Sequence, residues 1–217
     1  HYIKNVMRVN KNDFLRIFNG KDGEWLAEII EIKKKHILLL IKEKIIEQKI
    51  SPNLWLFFSP IKKDRINILI QKSTELGASV FVPVQTERSN IKSININNLQ
   101  KNAIEAAEQS QRLDVPLIKK EIKFSEMIDS LSNDRCLLFC DEKNIKSKNI
   151  IDIMDKIKNK YSKWSIIVGP EGGFSENERK KLLNIKQAYT VSLGRRILRS
   201  DTAATVALFC VQKFIEK

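Results

Sequence analysis

Two stretches near the C-terminal end of this 217-residue chain carry the residue types that could hold a ligand and act on it. They are Gly169-Pro-Glu-Gly-Gly-Phe-Ser175 and, one helix later, Leu193-Gly-Arg-Arg-Ile-Leu-Arg-Ser-Asp-Thr-Ala203. Four of the seven glycines, Gly169, Gly172, Gly173 and Gly194, fall inside them. Glycine is needed where a backbone takes positive φ or lets a ligand come close, so the crowding points to ligand loops. The same stretches hold two carboxylates, Glu171 and Asp201, and the arginines Arg195, Arg196 and Arg199. Carboxylates can take a proton, and a guanidinium can steady negative charge as it develops on an oxygen. Read for structure alone, Gly-Pro-Glu-Gly-Gly is a tight strand-to-helix turn, the two carboxylates serve helix N-termini, and the arginines bind phosphates. Neither GxGxxG nor GxxxxGK(S/T) is present, which leaves a dinucleotide or nucleoside triphosphate site without support.

The flanking residues show what must position these loops. Ile166 to Val168 is a short apolar run that reads as a buried strand. Ser175 with Glu178 three residues on is a capping box, so a helix starts near Glu176. The first loop therefore lies at the carboxyl end of a strand, where open α/β sheets bind their ligands. Thr190 to Leu193 ends another strand, and Ser200 or Asp201 caps the helix that carries Ala203, Val206, Leu208, Phe209, Val211 and Phe214. Two such loops can meet on one molecule.

Upstream, strands alternate with helices. Leu54 to Ser59 is a continuous apolar strand, and Lys62 to Leu76 has Ile66, Leu69, Ile70 and Ser73 at helical spacing, closed by Gly77. Ser79 to Val84 is a second strand, Asn98 to Arg112 a helix, Cys136 to Cys140 a third strand and Ile150 to Lys160 a further helix. This alternation predicts an α/β domain over residues 51–217 with a mostly parallel sheet. Ser51-Pro-Asn53 separates it from residues 1–50, where the β-rich runs Glu24 to Ile32 and His36 to Ile41 are joined by Lys33-Lys-Lys35. Those runs predict a small β-barrel or sheet. Taken alone, the lysines are a solvated hairpin tip.

Charge and composition narrow the partners. Lys plus Arg number 39 against 26 Asp plus Glu, a formal net charge of +13, with a sequence pI near 9.6. Polyanionic partners are favoured, although the chain is rich in Ile, Lys and Asn throughout, and net charge carries no information about fold. Three cysteines, an odd number without a secretion signal, predict reduced thiols in a cytoplasmic protein. Cys136, Cys140 and Cys210 read as core residues. With His1 and His36 the two histidines, no His/Cys metal constellation has normal ligand spacing. No run approaches the roughly 18 to 20 apolar residues that a membrane-spanning helix requires.

Taken as a pair, the two loops resemble the cofactor loops of the SPOUT methyltransferases, and within them the RsmE-type enzymes that methylate N3 of a uridine in 16S ribosomal RNA. Gln71-Lys-Ser-Thr-Glu-Leu-Gly77, Pro83, Thr86-Glu-Arg-Ser89 and Glu108-Gln-Ser-Gln-Arg112 ahead of Pro116 extend the likeness over nearly the whole chain. Asp201 stands where the family pattern has a glutamate. The resemblance implies a trefoil-knotted SPOUT α/β domain over 51–217 behind a PUA-like β-barrel over 1–50, assembled as a homodimer. It implies S-adenosylmethionine as cofactor and 16S ribosomal RNA, or the small ribosomal subunit, as partner. Cofactor contacts are expected at Phe139, Cys140, Val168, Gly169, Glu171, Gly172, Gly173, Leu193, Gly194, Ile197, Leu198 and Thr202. RNA contacts are expected at Arg8, Lys33, Lys34, Lys35, Arg88, Arg112, Arg195 and Arg196.

Methyl transfer from a sulfonium is an in-line displacement, so positioning and exclusion of water dominate. N3 of uracil is a poor nucleophile until its proton leaves. Arg199 is expected to stabilise negative charge on the uracil oxygens, and Glu171 or Asp201 to accept the proton directly or through water. Glu75 and Glu108 are expected in helix-surface ion pairs of modest energy. Two other readings stay open: a SPOUT ribose 2′-hydroxyl methyltransferase, and a non-catalytic RNA-binding or ribosome-assembly factor that keeps the fold.

Overall fold

The computed structural model describes residues 9–34, 36–49, 51–89, 91, 93–141 and 147–216. Arg8 and Lys35, two of the expected RNA contacts, and His1 lie outside the described residues. The chain divides into two compact units, His1–Ile50 with Gln111–Val115, and Ser51–Ser110 with Pro116–Lys217.

The first unit carries β1 (Phe14–Phe18), β2 (Glu24–Ile32) and β3 (Ile37–Ile46) in an antiparallel sheet of that order. Of the expected β-barrel, these three strands are what the described residues contain. The β1–β2 turn follows from local chemistry. The Asn19 side chain accepts from the backbone N–H of Lys21 and Asp22 at 3.0 and 2.9 Å, the turn-making habit of Asn. Gly23 closes the turn at φ 84°, where a Cβ would stand 2.2 Å from the Ile46 carbonyl oxygen. No other residue fits there.

The second unit runs β4 (Leu54–Phe58), α1 (Lys63–Glu75), β5 (Val80–Gln85), α2 (Ile96–Gln109), β6 (Leu117–Ile118), β7 (Ile122–Lys123), α3 (Phe124–Asp129), β8 (Arg135–Cys140), β9 (Lys148–Asn149), α4 (Ile150–Ile157), β10 (Lys163–Val168), α5 (Glu176–Leu183), β11 (Ala188–Ser192) and α6 (Ser200–Ile215). The strand order is β6-β5-β4-β10-β8-β11-β9, with β7 beside β5, and every pairing is parallel. Continuous apolar strands suit a sheet covered on both faces. Leu54, Leu56 and Phe58 enter a core shared with α1, α2, α4 and α6, whereas Phe57 enters a second core shared with α3 and α5. Burying side chains of this size stabilises the fold by about 1.5–3 kcal/mol each. Helix α1 ends as Gly77 predicts: at φ 80° its N–H donates to Thr74 O at 3.1 Å, and that of Ala78 to Ser73 O at 3.0 Å, a Schellman motif. The expected surface pair forms at Glu75, with Lys72 Nζ 2.9 Å away.

At the amino ends of the strands sits a buried cation. Arg135, 4% exposed, donates to Trp164 O at 3.0 Å and Asn53 Oδ1 at 2.9 Å, and its guanidinium lies 4.0 Å from the Trp55 ring centroid. Burial lowers its pKa to about 10, so it remains charged at neutral pH.

Candidate functional site

The carboxyl ends of β8, β10 and β11 open on one cavity of about 700 Å³. After β10, Gly173 at φ 66° donates its N–H to Pro170 O at 2.9 Å, closing a tight turn. A Cβ on Gly169 would stand 2.9 Å from the Phe174 ring. The neighbour that demands glycine at 169 is thus Phe174, which packs edge-on against Phe139 at 5.2 Å. The capping box forms, with Ser175 N–H donating to Glu178 Oε2 at 2.9 Å and Glu178 N–H to Ser175 Oγ at 3.1 Å. Glu178 is 2% exposed and also accepts from Glu87 N–H at 2.9 Å.

After β11 the chain is more open. Gly194 takes φ 123°, and nothing lies within 4 Å of the position its Cβ would occupy; its glycine is required by the backbone and faces free space. Arg195, Arg196 and Arg199 are exposed, and among the described residues no hydrogen bond or ion pair holds their guanidinium groups. The two loops are joined by Ser200 Oγ, which donates to Gly169 O at 2.6 Å. That bond corrects the expected cap. Helix α6 has Arg199 at its N-cap with no side-chain cap, because the Ser200 hydroxyl is engaged by Gly169 and the Asp201 carboxylate by Arg65 Nη1 at 3.2 and 3.3 Å.

Of the expected cofactor contacts, Cys140, Val168, Gly169, Glu171, Gly173, Leu193, Gly194, Ile197 and Leu198 line the cavity. Three do not. Phe139 is 1% exposed in the core beneath, Gly172 faces Arg88, and Thr202 is exposed outside the lining. Of the expected catalytic groups, Arg199 and Glu171 reach the cavity, while Asp201 is buried against Arg65. Arg195 and Arg196 also line it. Arg88 donates to Gly172 O at 2.9 Å. Arg112 is paired with Asp114 at 2.7 Å, with its side chain 9% exposed. Lys33 is exposed and paired with Glu31 at 3.1 Å, and Lys34 is exposed.

Sequence reading missed Asp141 and Arg179, both in the cavity wall. Arg179 Nη2 and Nε donate to Asp141 Oδ2 at 2.8 and 3.2 Å, and Nη1 donates to Glu176 Oε1 at 3.1 Å. The bond to Asp141 raises the Arg179 pKa above its usual value, fixing a permanent cation in the wall. Asp141 directly follows the apolar run Cys136 to Cys140, and a carboxylate at the carboxyl end of a strand was the available signal.

The chemistry open to this cavity is limited. Burial pushes the Cys140 thiol up to about 12, so it stays protonated at neutral pH and is no thiolate nucleophile. Among the described residues no group of three or more His, Cys, Asp or Glu is placed to hold a metal, and no helix is long and apolar enough to cross a membrane. Exposed main chain, apolar Ile197 and Leu198, the paired Asp141 and Arg179, the carboxylate of Glu171 and the arginines Arg195, Arg196 and Arg199 remain. The volume lies in the range of small-molecule sites, about 300–1,000 Å³.

A family model of an RNA methyltransferase domain matches residues 48–212, and one of an RNA methyltransferase PUA domain matches residues 1–42. The chain is 38% identical over 208 residues to Ribosomal RNA small subunit methyltransferase E of Rickettsia conorii, covering 96% of this chain and 84% of that one. To the protein of the same name from Bacillus subtilis it is 33% identical, covering 97% and 86%. A solved Ribosomal RNA small subunit methyltransferase E from Neisseria gonorrhoeae, bound to S-adenosyl methionine, superposes with a TM-score of 0.88 at 28% identity, over 99% of this chain and 88% of that one. The extent of the domain match and the identity to these relatives show that the chain belongs to the ribosomal RNA small subunit methyltransferase E family.

Proposed function

We propose that this protein transfers a methyl group from S-adenosylmethionine to N3 of a uridine in 16S ribosomal RNA, and that the cavity between the two loops holds the cofactor. The observation that carries the reading is the bond from Ser200 Oγ to Gly169 O at 2.6 Å, which makes the two loops one site. The lining suits an adenosyl amino acid: main chain of Gly169, Gly173, Leu193 and Gly194 can meet polar edges, and Ile197, 78% exposed, is an apolar wall awaiting cover. When bound, the cofactor supplies an electrophilic methyl group.

The chain's own groups do the rest. Arg199 stands at the N-terminus of α6, where the helix dipole adds positive potential, and its unpaired guanidinium steadies charge on a uracil oxygen as N3 loses its proton. Glu171 lines the same cavity and is exposed, so it accepts that proton directly or through water. Asp201, engaged by Arg65, orients rather than reacts. Arg195 and Arg196 contact RNA phosphates beside the site. A trefoil knot, a homodimer, a cytoplasmic location and the small subunit as substrate belong to the same reading.

The experiment is incubation of purified protein with methyl-labelled cofactor and small ribosomal subunits, followed by nuclease digestion and mass spectrometry. Label on uridine N3 supports the reading. Label on a ribose 2′-hydroxyl, or none while a family enzyme labels beside it, overturns it.

A further inference from the structure

We infer that Arg88 is a positioning residue of the first loop, holding the Gly172 peptide from behind the cavity, rather than a contact for RNA. The inference rests on the cavity being the cofactor site. Within 168–174 every residue lines the cavity except Gly172. Gly172 is turned the other way, onto Arg88: a Cβ built on it would stand 3.4 Å from Arg88 Cβ and 3.7 Å from Cδ, and Arg88 Nη1 donates to its carbonyl oxygen at 2.9 Å. The other end of the same peptide unit is also held, since Gly173 N–H donates to Pro170 O at 2.9 Å.

Two glycines in succession are the freest backbone a chain can offer. With no side chain at either position, these two hydrogen bonds are what fix the peptide plane between them. Glu171 and Gly173, on either side, take their places in the cavity wall from it.

Arg88 can act as a brace because its own segment is anchored at both ends. Ser59 Oγ and Thr86 Oγ1 share a buried hydrogen bond of 2.9 Å, and Ser89 Oγ donates to Pro60 O at 3.4 Å, tying the 86–89 bend to the end of β4. On the other side Glu87 N–H donates to Glu178 Oε1 at 2.9 Å, tying it to the capping box of α5. The bend therefore spans the ends of two elements, and Arg88 projects from it onto the loop.

The test compares the wild-type chain with Arg88→Met, which keeps the stem against Gly172 but loses donor and charge, and Arg88→Lys, which keeps a cationic donor. Calorimetry with S-adenosylmethionine and salt-dependent binding of a 16S RNA fragment are measured on each. Arg88 is exposed, so its bond is worth the ordinary amount, and the Met variant should bind cofactor about three- to tenfold more weakly. The Lys variant recovers part of the loss, RNA affinity and its salt slope are unchanged, and saturating cofactor restores most of the turnover. A salt slope reduced by about one with cofactor affinity intact makes Arg88 a phosphate contact and overturns the inference. Heat from the wild type with an unchanged Met variant overturns this inference alone. No heat from the wild type overturns the cofactor reading and this inference with it.

Discussion

The two loops facing each other across the cavity are built in opposite ways. The first is fastened by protein at three points: Phe174 fills the space at Gly169, Arg88 holds Gly172, and Glu178 bridges Ser175 and Glu87. The second has open space at Gly194, an apolar Ile197 in solvent, and three arginines whose guanidinium groups pair with none of the described residues. Among the described residues, the side-chain hydrogen bond that joins it to the first loop comes from Ser200. The difference separates two jobs. On the proposed reading the first loop is a preorganised wall that presents Glu171 as its one exposed carboxylate, and the second carries the arginines left for the ligands.

That division predicts effects of different kinds. Arg199→Ala should lower turnover by roughly 10²–10³-fold, the range for loss of one donor to a developing oxyanion, while cofactor affinity by calorimetry and the melting temperature stay near wild type. Equal loss in turnover and cofactor affinity would move Arg199 to a binding role and erase the contrast. Gly169→Ala should act the other way, costing about 1–3 kcal/mol of stability in denaturant unfolding as the Phe174 ring is displaced. If its stability matches wild type, the first loop is not the rigid partner. Ser200→Ala, which removes one hydrogen bond between the loops, should cost about 1 kcal/mol, read as a several-fold weaker cofactor affinity. An unchanged affinity would mean the loops find each other without it.

What could be read from the chain in advance follows the distance over which each feature is made. The capping box of Ser175 and Glu178 spans three residues, and the helix stop at Gly77 is equally local, so both stand in the sequence. Strand ends were legible because apolar runs stop where the loops begin. The ties that set the site are remote: Arg179 to Asp141 across 38 residues, Arg88 to Gly172 across 84, Glu87 to Glu178 across 91 and Arg65 to Asp201 across 136. No local pattern joins such pairs. Arg65 claims the carboxylate of Asp201, and Gly169 claims the hydroxyl of Ser200, so two residues that look like caps hold other elements instead. The two-residue strands β6, β7 and β9 escaped for a different reason: they are too short to show a period, and pairing with a neighbour makes them.

The most direct measurement is a crystal structure of the protein grown with S-adenosylmethionine. The account predicts density for the cofactor between Gly169–Phe174 and Leu193–Leu198, with the first loop unmoved and the second drawn onto the ligand. Cofactor bound elsewhere, or held with the Ser200 to Gly169 contact broken and the loops apart, would contradict it.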